Sequence, residues 1–320
     1  MSLNEFGKKT NDNIVVNVIN KPSSGDEVLS SSGAEEKVKG PVQWAIVGPG
    51  EYISQGKTVA VLPANFYTVT FSNDARKAVF KETDVKYDAL TYARKGMINN
   101  IITEIELFWK KEQKFKELGY LHYRGYLFYG AHGSGKTSLI QLIAKDFIKE
   151  GGVVFMCNSD NIYSFIDCVK DFRKVEPDRK IICLFEDIDV LAKSNESMLL
   201  SFLDGEYKID KVLNIATTNY PELLDKRIVA RPRRFDRVIK IDYPGEEERL
   251  IYFKSKFDAL KAKQWAKKTE GLSFASLAEL VVSVECLDKD LDETIVLLKD
   301  MQTIPVSSDG LDGKQSTGFN

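Results

Sequence analysis

The run Gly130-Ala131-His132-Gly133-Ser134-Gly135-Lys136-Thr137 matches G-x-x-x-x-G-K-[ST] at every fixed position. Glycines so spaced let the backbone curl until successive N–H groups face one anion, which the lysine reaches as a point charge. The loop needs a buried strand running into it and a helix leading out. Gly125-Tyr126-Leu127-Phe128-Tyr129 reads as that strand. A helix is expected to open at Lys136 or Thr137, with Leu139, Ile140 and Ile143 on one face and its positive end toward the anion. The loop therefore predicts a triphosphate site formed by Gly130, His132, Gly133, Ser134, Gly135, Lys136, Thr137 and Ser138. Lys136 is expected on the β- and γ-phosphates and the Thr137 hydroxyl on Mg²⁺. The side chain of His132 stands at a variable position of the motif and reads as packing.

A second feature lies about fifty residues downstream. Ile181-Ile182-Cys183-Leu184-Phe185 is an apolar strand that ends in Glu186-Asp187-Ile188-Asp189. Ligands of open α/β sheets bind beyond the carboxyl ends of strands, and carboxylates there can hold Mg²⁺ and polarise water. Acids also close strands simply because they reach solvent; the phosphate loop favours the functional reading.

Strands alternate with helices around these motifs: strand 153–156, helix 162–172, strand 181–185, helix 197–203 and strand 212–217. That alternation predicts a doubly wound α/β fold with a parallel sheet, a P-loop core over 92–244. Its first segment is helical, with Ile98, Ile101, Ile102, Ile105 and Phe108 forming one stripe. Residues 245–301 read as a helical lid. The runs VQWAIVG, KTVAVL, FYTVTF and KAVF predict a small β-rich N-terminal domain over 41–91. Residues 1–40 and 302–320 are Ser-, Gly- and charge-rich tails expected to be weakly ordered, with 14–19 as an optional strand or docking segment.

With these motifs on the page, the chain resembles the AAA subgroup of the AAA+ ATPases. GYLFYGAHGSGKTSLI is similar to its Walker A segment and IICLFEDID to Walker B. NIATTNYPELLDKRIVARPRRFDRVIKIDYP resembles its second region of homology, and GLSFASLAELV the opening of the last lid helices. A narrower likeness is to the mitochondrial translocase type that inserts the Rieske iron–sulfur protein, whose strand also ends in Glu-Asp.

The resemblance implies ATP and Mg²⁺ as ligands and ATP hydrolysis as the activity. It places Glu186 in the Mg²⁺-supporting position, Asp187 in the place of the usual catalytic Glu, and Asn219 at sensor 1. Arg234 and Arg237 match the two arginine fingers, which reach a neighbouring subunit's γ-phosphate and imply a homo-oligomer, most often a hexameric ring. Arg233 stands where a glycine is usual. The leading expectation is remodelling or translocation of a protein client chosen by the N-terminal region. A nucleic-acid motor or loader and a nucleotide-gated scaffold with weak turnover are the alternatives.

Other patterns narrow the reading. Five arginines lie between Arg227 and Arg237, yet Phe235 is the one aromatic inside that run, which disfavours a nucleic-acid groove. The net charge of −2 adds no argument for nucleic acid. Residues 157–180 hold no aromatic–hydrophobic–glycine triplet for a pore loop; Tyr163 and Phe165 read as packing more than as channel-facing. HExxH is absent, and no run approaches the roughly 18 apolar residues of a membrane span. Cys157, Cys168, Cys183 and Cys286 lack CxxC spacing and read as buried thiols in a reducing compartment, so a cytoplasmic location is expected.

Overall fold

The computed structural model describes residues 43–48, 51–55, 58–72, 77–83, 96–157, 162–204, 207, 209–229 and 233–303. The expected tail at 1–40 with its optional strand at 14–19, and all of the expected tail at 302–320 beyond Thr303, lie outside the described residues; Gln302 and Thr303 are helical. Two units are distinguished, 1–60 and 61–320. In the first, β1 (Gln43–Gly48) and β2 (Glu51–Gln55) form an antiparallel hairpin with a register shift between Ile46 and Gly48.

The second unit is built on a seven-stranded sheet. Its strands are β3 (Phe66–Ser72), β4 (Lys77–Glu82), β5 (Tyr123–Tyr129), β6 (Val153–Met156), β7 (Ile181–Phe185), β8 (Val212–Thr218) and β9 (Arg237–Lys240), in the order β4-β3-β6-β7-β8-β5-β9. All neighbours run parallel except β3 and β4. The helices are α1 (Gly96–Lys110), α2 (Glu112–Glu117), α3 (Lys136–Lys149), α4 (Ile162–Val175), α5 (Ile188–Leu203) and α6 (Lys226–Val229). The lid follows as α7 (Glu246–Lys254), α8 (Ala259–Lys268), α9 (Phe274–Val281) and α10 (Leu291–Thr303), with a π-helical turn at Val282–Cys286.

Both faces of the sheet are covered, so β6 and β7 are apolar at every position and the apolar residues of the central strands alternate sides. Tyr126, Phe128, Ile182, Leu184, Leu213 and Ile215 pack toward α1, α3 and the lid. Leu127, Ile181, Cys183, Phe185, Val212 and Ala216 pack toward α4 and α5. The predicted stripe Ile98, Ile101, Ile102, Ile105 and Phe108 is buried in the first of these clusters.

Three expectations are corrected. The β-rich segment 41–91 is divided between the two units: β1 and β2 form their own hairpin in the first, whereas in the second β3 pairs in parallel with β6 and carries β4 with it to the sheet edge. The core's own Phe66, Tyr67 and Val69 come from this segment, which propensity alone assigns no partner. The run KTVAVL is not a strand over its described residues 58–62, whereas Glu51–Gln55 is one. Finally, helical structure begins at Ile188 rather than at 197: a kink at Asn195 (φ −137°, ψ 24°) separates a first helical stretch from a second that holds the expected 197–203.

Candidate nucleotide-binding site

Parallel registration brings the motifs together. Tyr129 of β5 stands opposite Thr218 of β8, and Phe185 of β7 opposite Ala216. The chain therefore leaves these three adjacent strands at one edge, as Gly130, Asn219 and Glu186. This is the carboxyl edge, where loops of an open sheet bind ligands.

The loop adopts conformations only glycine takes easily: Gly130, Gly133 and Gly135 have φ of 154°, 72° and 102°. A Cβ on Gly130 would lie 2.2 Å from the Ile241 carbonyl oxygen. Lys136 opens α3 and is largely buried; its Nζ donates to the Gly130 carbonyl (2.8 Å), the Ala131 carbonyl (3.0 Å) and Asn219 Oδ1 (2.6 Å). Burial lowers the pKa of Lys136, opposed by the nearby Asp187 carboxylate.

Glu186 and Asp187 differ in setting. Glu186 is half-buried, and its pKa is raised by burial and by the charge of Asp187, while a hydrogen bond from the Thr137 hydroxyl lowers it. Asp187 is exposed and adopts a left-handed backbone (φ 46°, ψ 53°), a region where Asp is enriched several-fold over most residues. Asn219 Nδ2 donates to Asp187 Oδ1 at 3.3 Å. Asp189, by contrast, is turned into the protein and buried.

Lys136, Glu186, Asp187 and Asn219 line one cavity of about 550 Å³ with Gly133, Gly135, Thr137, Ser138 and His132. Its far wall comes from the lid: Tyr252, Lys256, Phe274, Ala275 and Ala278. The lid docks directly on the loop, since the Phe274 amide donates to the Gly133 carbonyl at 3.0 Å. A Cβ on Gly133 would come within 2.9 Å of Ser273 Oγ. Tyr252 and Phe274 form an edge-to-face pair at 6.3 Å. None of these lid residues stood out in the sequence; the stretch GLSFASLAELV marked the lid but not which side chains face the loop.

The remaining site residues fall in different places. Ser134 turns away from the main cavity: its buried Oγ, for which no hydrogen-bond partner is found, borders a neighbouring space of about 110 Å³ shared with Met97, Ile98, Ile241 and Phe274. His132 is exposed, with Nε2 3.1 Å from the Tyr220 hydroxyl. Thr137 and Glu186, the expected Mg²⁺ partners, are joined by a hydrogen bond, so a hydroxyl and a carboxylate oxygen converge; a hard cation takes this donor set.

The arginines at the two expected finger positions do not border the main cavity. Arg234 is buried and paired through Nε and Nη2 with both oxygens of Asp204, each at 2.6 Å, and also donates to the Arg227 carbonyl. Within this chain the guanidinium at that position is thus held inward by Asp204. Arg237 is half-exposed, 3.4 Å from Glu104. Arg233 takes φ 77°, a backbone that suits the glycine expected there. Phe165 is buried against Phe185, whereas Tyr163 is exposed.

A phosphate loop at the carboxyl edge of a parallel sheet, facing strand-end acids and roofed by helices, defines a P-loop NTPase core. Residues 126–243 match the model of the ATPase family associated with various cellular activities, and this segment is an AAA ATPase domain. A proteasome-activating nucleotidase of Methanococcus vannielii is 32% identical over 232 residues, 65% of this chain and 55% of that protein. An ATP-dependent zinc metalloprotease FtsH of Clostridium perfringens is 29% identical over 262 residues, 71% of this chain and 36% of that protein. A putative cell division cycle ATPase of Plasmodium falciparum is 30% identical, covering 66% of this chain and 19% of that protein. The chain thus spans about half the length of the archaeal relative and less of the other two.

Proposed function

We propose that the protein hydrolyses ATP as a homo-oligomeric ring, in the family typically a hexamer, and uses the cycle to remodel or translocate a protein client. The observation that carries this reading is the convergence of Lys136, Glu186, Asp187 and Asn219 on one lid-covered cavity. The phosphates lie along Gly133–Thr137, where Lys136 exchanges one of its three oxygen partners for phosphate oxygen. The base packs toward Tyr252 and Phe274. Thr137 and Glu186 would hold Mg²⁺, which would supply neutralising charge to the phosphates. Asp187 and Asn219, already in contact, orient the attacking water, with Asp187 accepting its proton.

The cations bordering the cavity are Lys136 and Lys256, with no arginine among the described residues. That favours completion by a neighbouring protomer, with Arg237 the more accessible finger. Ion pairing of Arg227 with Glu196 and Asp225, Arg234 with Asp204, and Arg237 with Glu104 argues against an open nucleic-acid patch. The protein-acting relatives support a remodeller, while the Glu186-Asp187 order motivates both the Rieske-translocase likeness and the alternative of a nucleotide-gated scaffold with weak turnover.

Steady-state phosphate release tests the proposal. Asp187→Asn should bind ATP with parent-like affinity and lose turnover, and Lys136→Ala should lose binding. Parent-like turnover by Asp187→Asn would remove Asp187 as the base.

A further inference from the structure

Asp189 is the third acid of the run Glu186-Asp187-Ile188-Asp189, and the chemistry above does not use it. It sits in the first turn of α5 with 4% of its surface exposed. Its Oδ1 accepts a hydrogen bond from the Thr218 hydroxyl at 2.6 Å, deep inside the protein. The same Thr218 oxygen accepts from the Tyr220 amide at 2.9 Å. Asn219 lies between these two anchored residues. A second tie runs alongside, from the Asp187 amide to Thr217 Oγ1 at 3.3 Å. The turn leaving β7 and the exit of β8 are therefore joined twice, once beneath each member of the Asp187–Asn219 pair.

We infer that Asp189 is a positioning residue for hydrolysis, acting through Thr218 to hold the Asn219 amide against Asp187 and Lys136. The inference rests on the ATPase reading of the site and adds a residue to it. An acid here is costly to desolvate unless bonded, and a short hydroxyl–carboxylate bond is roughly twice as strong as a neutral one. The Thr218 hydroxyl donates to Asp189, which leaves its lone pairs for the Tyr220 amide. One buried carboxylate thus sets the direction of both bonds, fixing the backbone on either side of Asn219. Asn219 Oδ1 meets Lys136 Nζ at 2.6 Å and its Nδ2 meets Asp187 at 3.3 Å. Rotation of the peptide at 218–220 would move both contacts at once.

The test is a double-mutant cycle on the full chain, reading kcat from phosphate release and ATP affinity from fluorescent-nucleotide displacement. Asp189→Ala and Thr218→Val should each lower kcat about tenfold or more, as misplaced catalytic groups do. ATP affinity should stay within about twofold, and Thr218→Ser, which keeps the hydroxyl, should restore kcat. In an Asn219→Ala background neither change should lower kcat further. Thr218→Val keeps the side chain's shape and carries the test if Asp189→Ala does not fold. Unchanged kcat in both single variants, or an equal loss with and without Asn219, would overturn the inference while leaving the ATPase reading intact. A parent chain that releases no phosphate overturns that reading itself.

Discussion

At the scale of single residues, the acids of the site stand in different surroundings. Burial and the neighbouring Asp187 raise the pKa of Glu186, so it takes up a proton at higher pH than an ordinary glutamate. The Mg²⁺ concentration needed for half-maximal nucleotide binding should therefore start rising above the usual carboxylate range as pH falls. Asp187→Asn removes the repelling charge and should move that break to lower pH; an unmoved break would show that Asp187 does not repel Glu186. The linkage has a matching sign for the metal-free protein. A carboxyl with a raised folded pKa binds more protons folded than unfolded, so its contribution to stability falls as pH rises through that interval.

Arg234 makes a different kind of prediction. Its pKa is raised chiefly by the hydrogen bonds to Asp204, and its side chain is only 5% exposed. Asp204→Ala leaves a guanidinium buried without its partner, and stability should drop by about 3 kcal/mol in urea titrations. The loss should be smaller in Arg234→Met, which removes the charge as well.

Among the elements, β3 and β4 deserve the first test because they cover an edge of the main sheet. Phe66, Tyr67 and Val69 are nearly inaccessible, and burying such a side chain contributes about 1.5–3 kcal/mol. A chain starting at residue 61 should keep a cooperative unfolding transition and nucleotide binding. One starting at residue 92 should lose both, because β6 becomes an unpaired edge above an opened core. Circular dichroism and thermal melts distinguish the two outcomes. The lid's hold on the phosphate loop is equally local. In Gly133→Ala a Cβ enters at φ 72° and meets Ser273, so nucleotide affinity should weaken about tenfold, a cost of about 1–2 kcal/mol.

For the whole molecule, the arrangement of positive charge bears most on function. The cavity has Lys136 in its floor and Lys256 in its lid wall, while the described arginines of the 227–237 run are tied to acids elsewhere or, for Arg233, lie over the Tyr120 ring. Specific turnover should rise with protein concentration, and Arg237→Ala should flatten that rise while leaving ATP affinity nearly unchanged. Turnover proportional to concentration in the parent would mean that each protomer works alone.

The phosphate loop, the acid-ended strand and the strand–helix alternation were legible because each is local: a spacing of glycines, or an apolar period within a dozen residues. Hence Lys136 could be named from spacing before any fold was known, whereas the roles expected of Glu186, Asp187 and Asn219 came from the resemblance to the AAA subgroup. The partner of β3, the inward turn of Arg234, and the aromatic wall of Tyr252 and Phe274 could not, because each depends on groups far away in the chain. Strand pairing and ion pairing over such separations are decided by which surfaces packing brings together, and no short window of sequence carries that information.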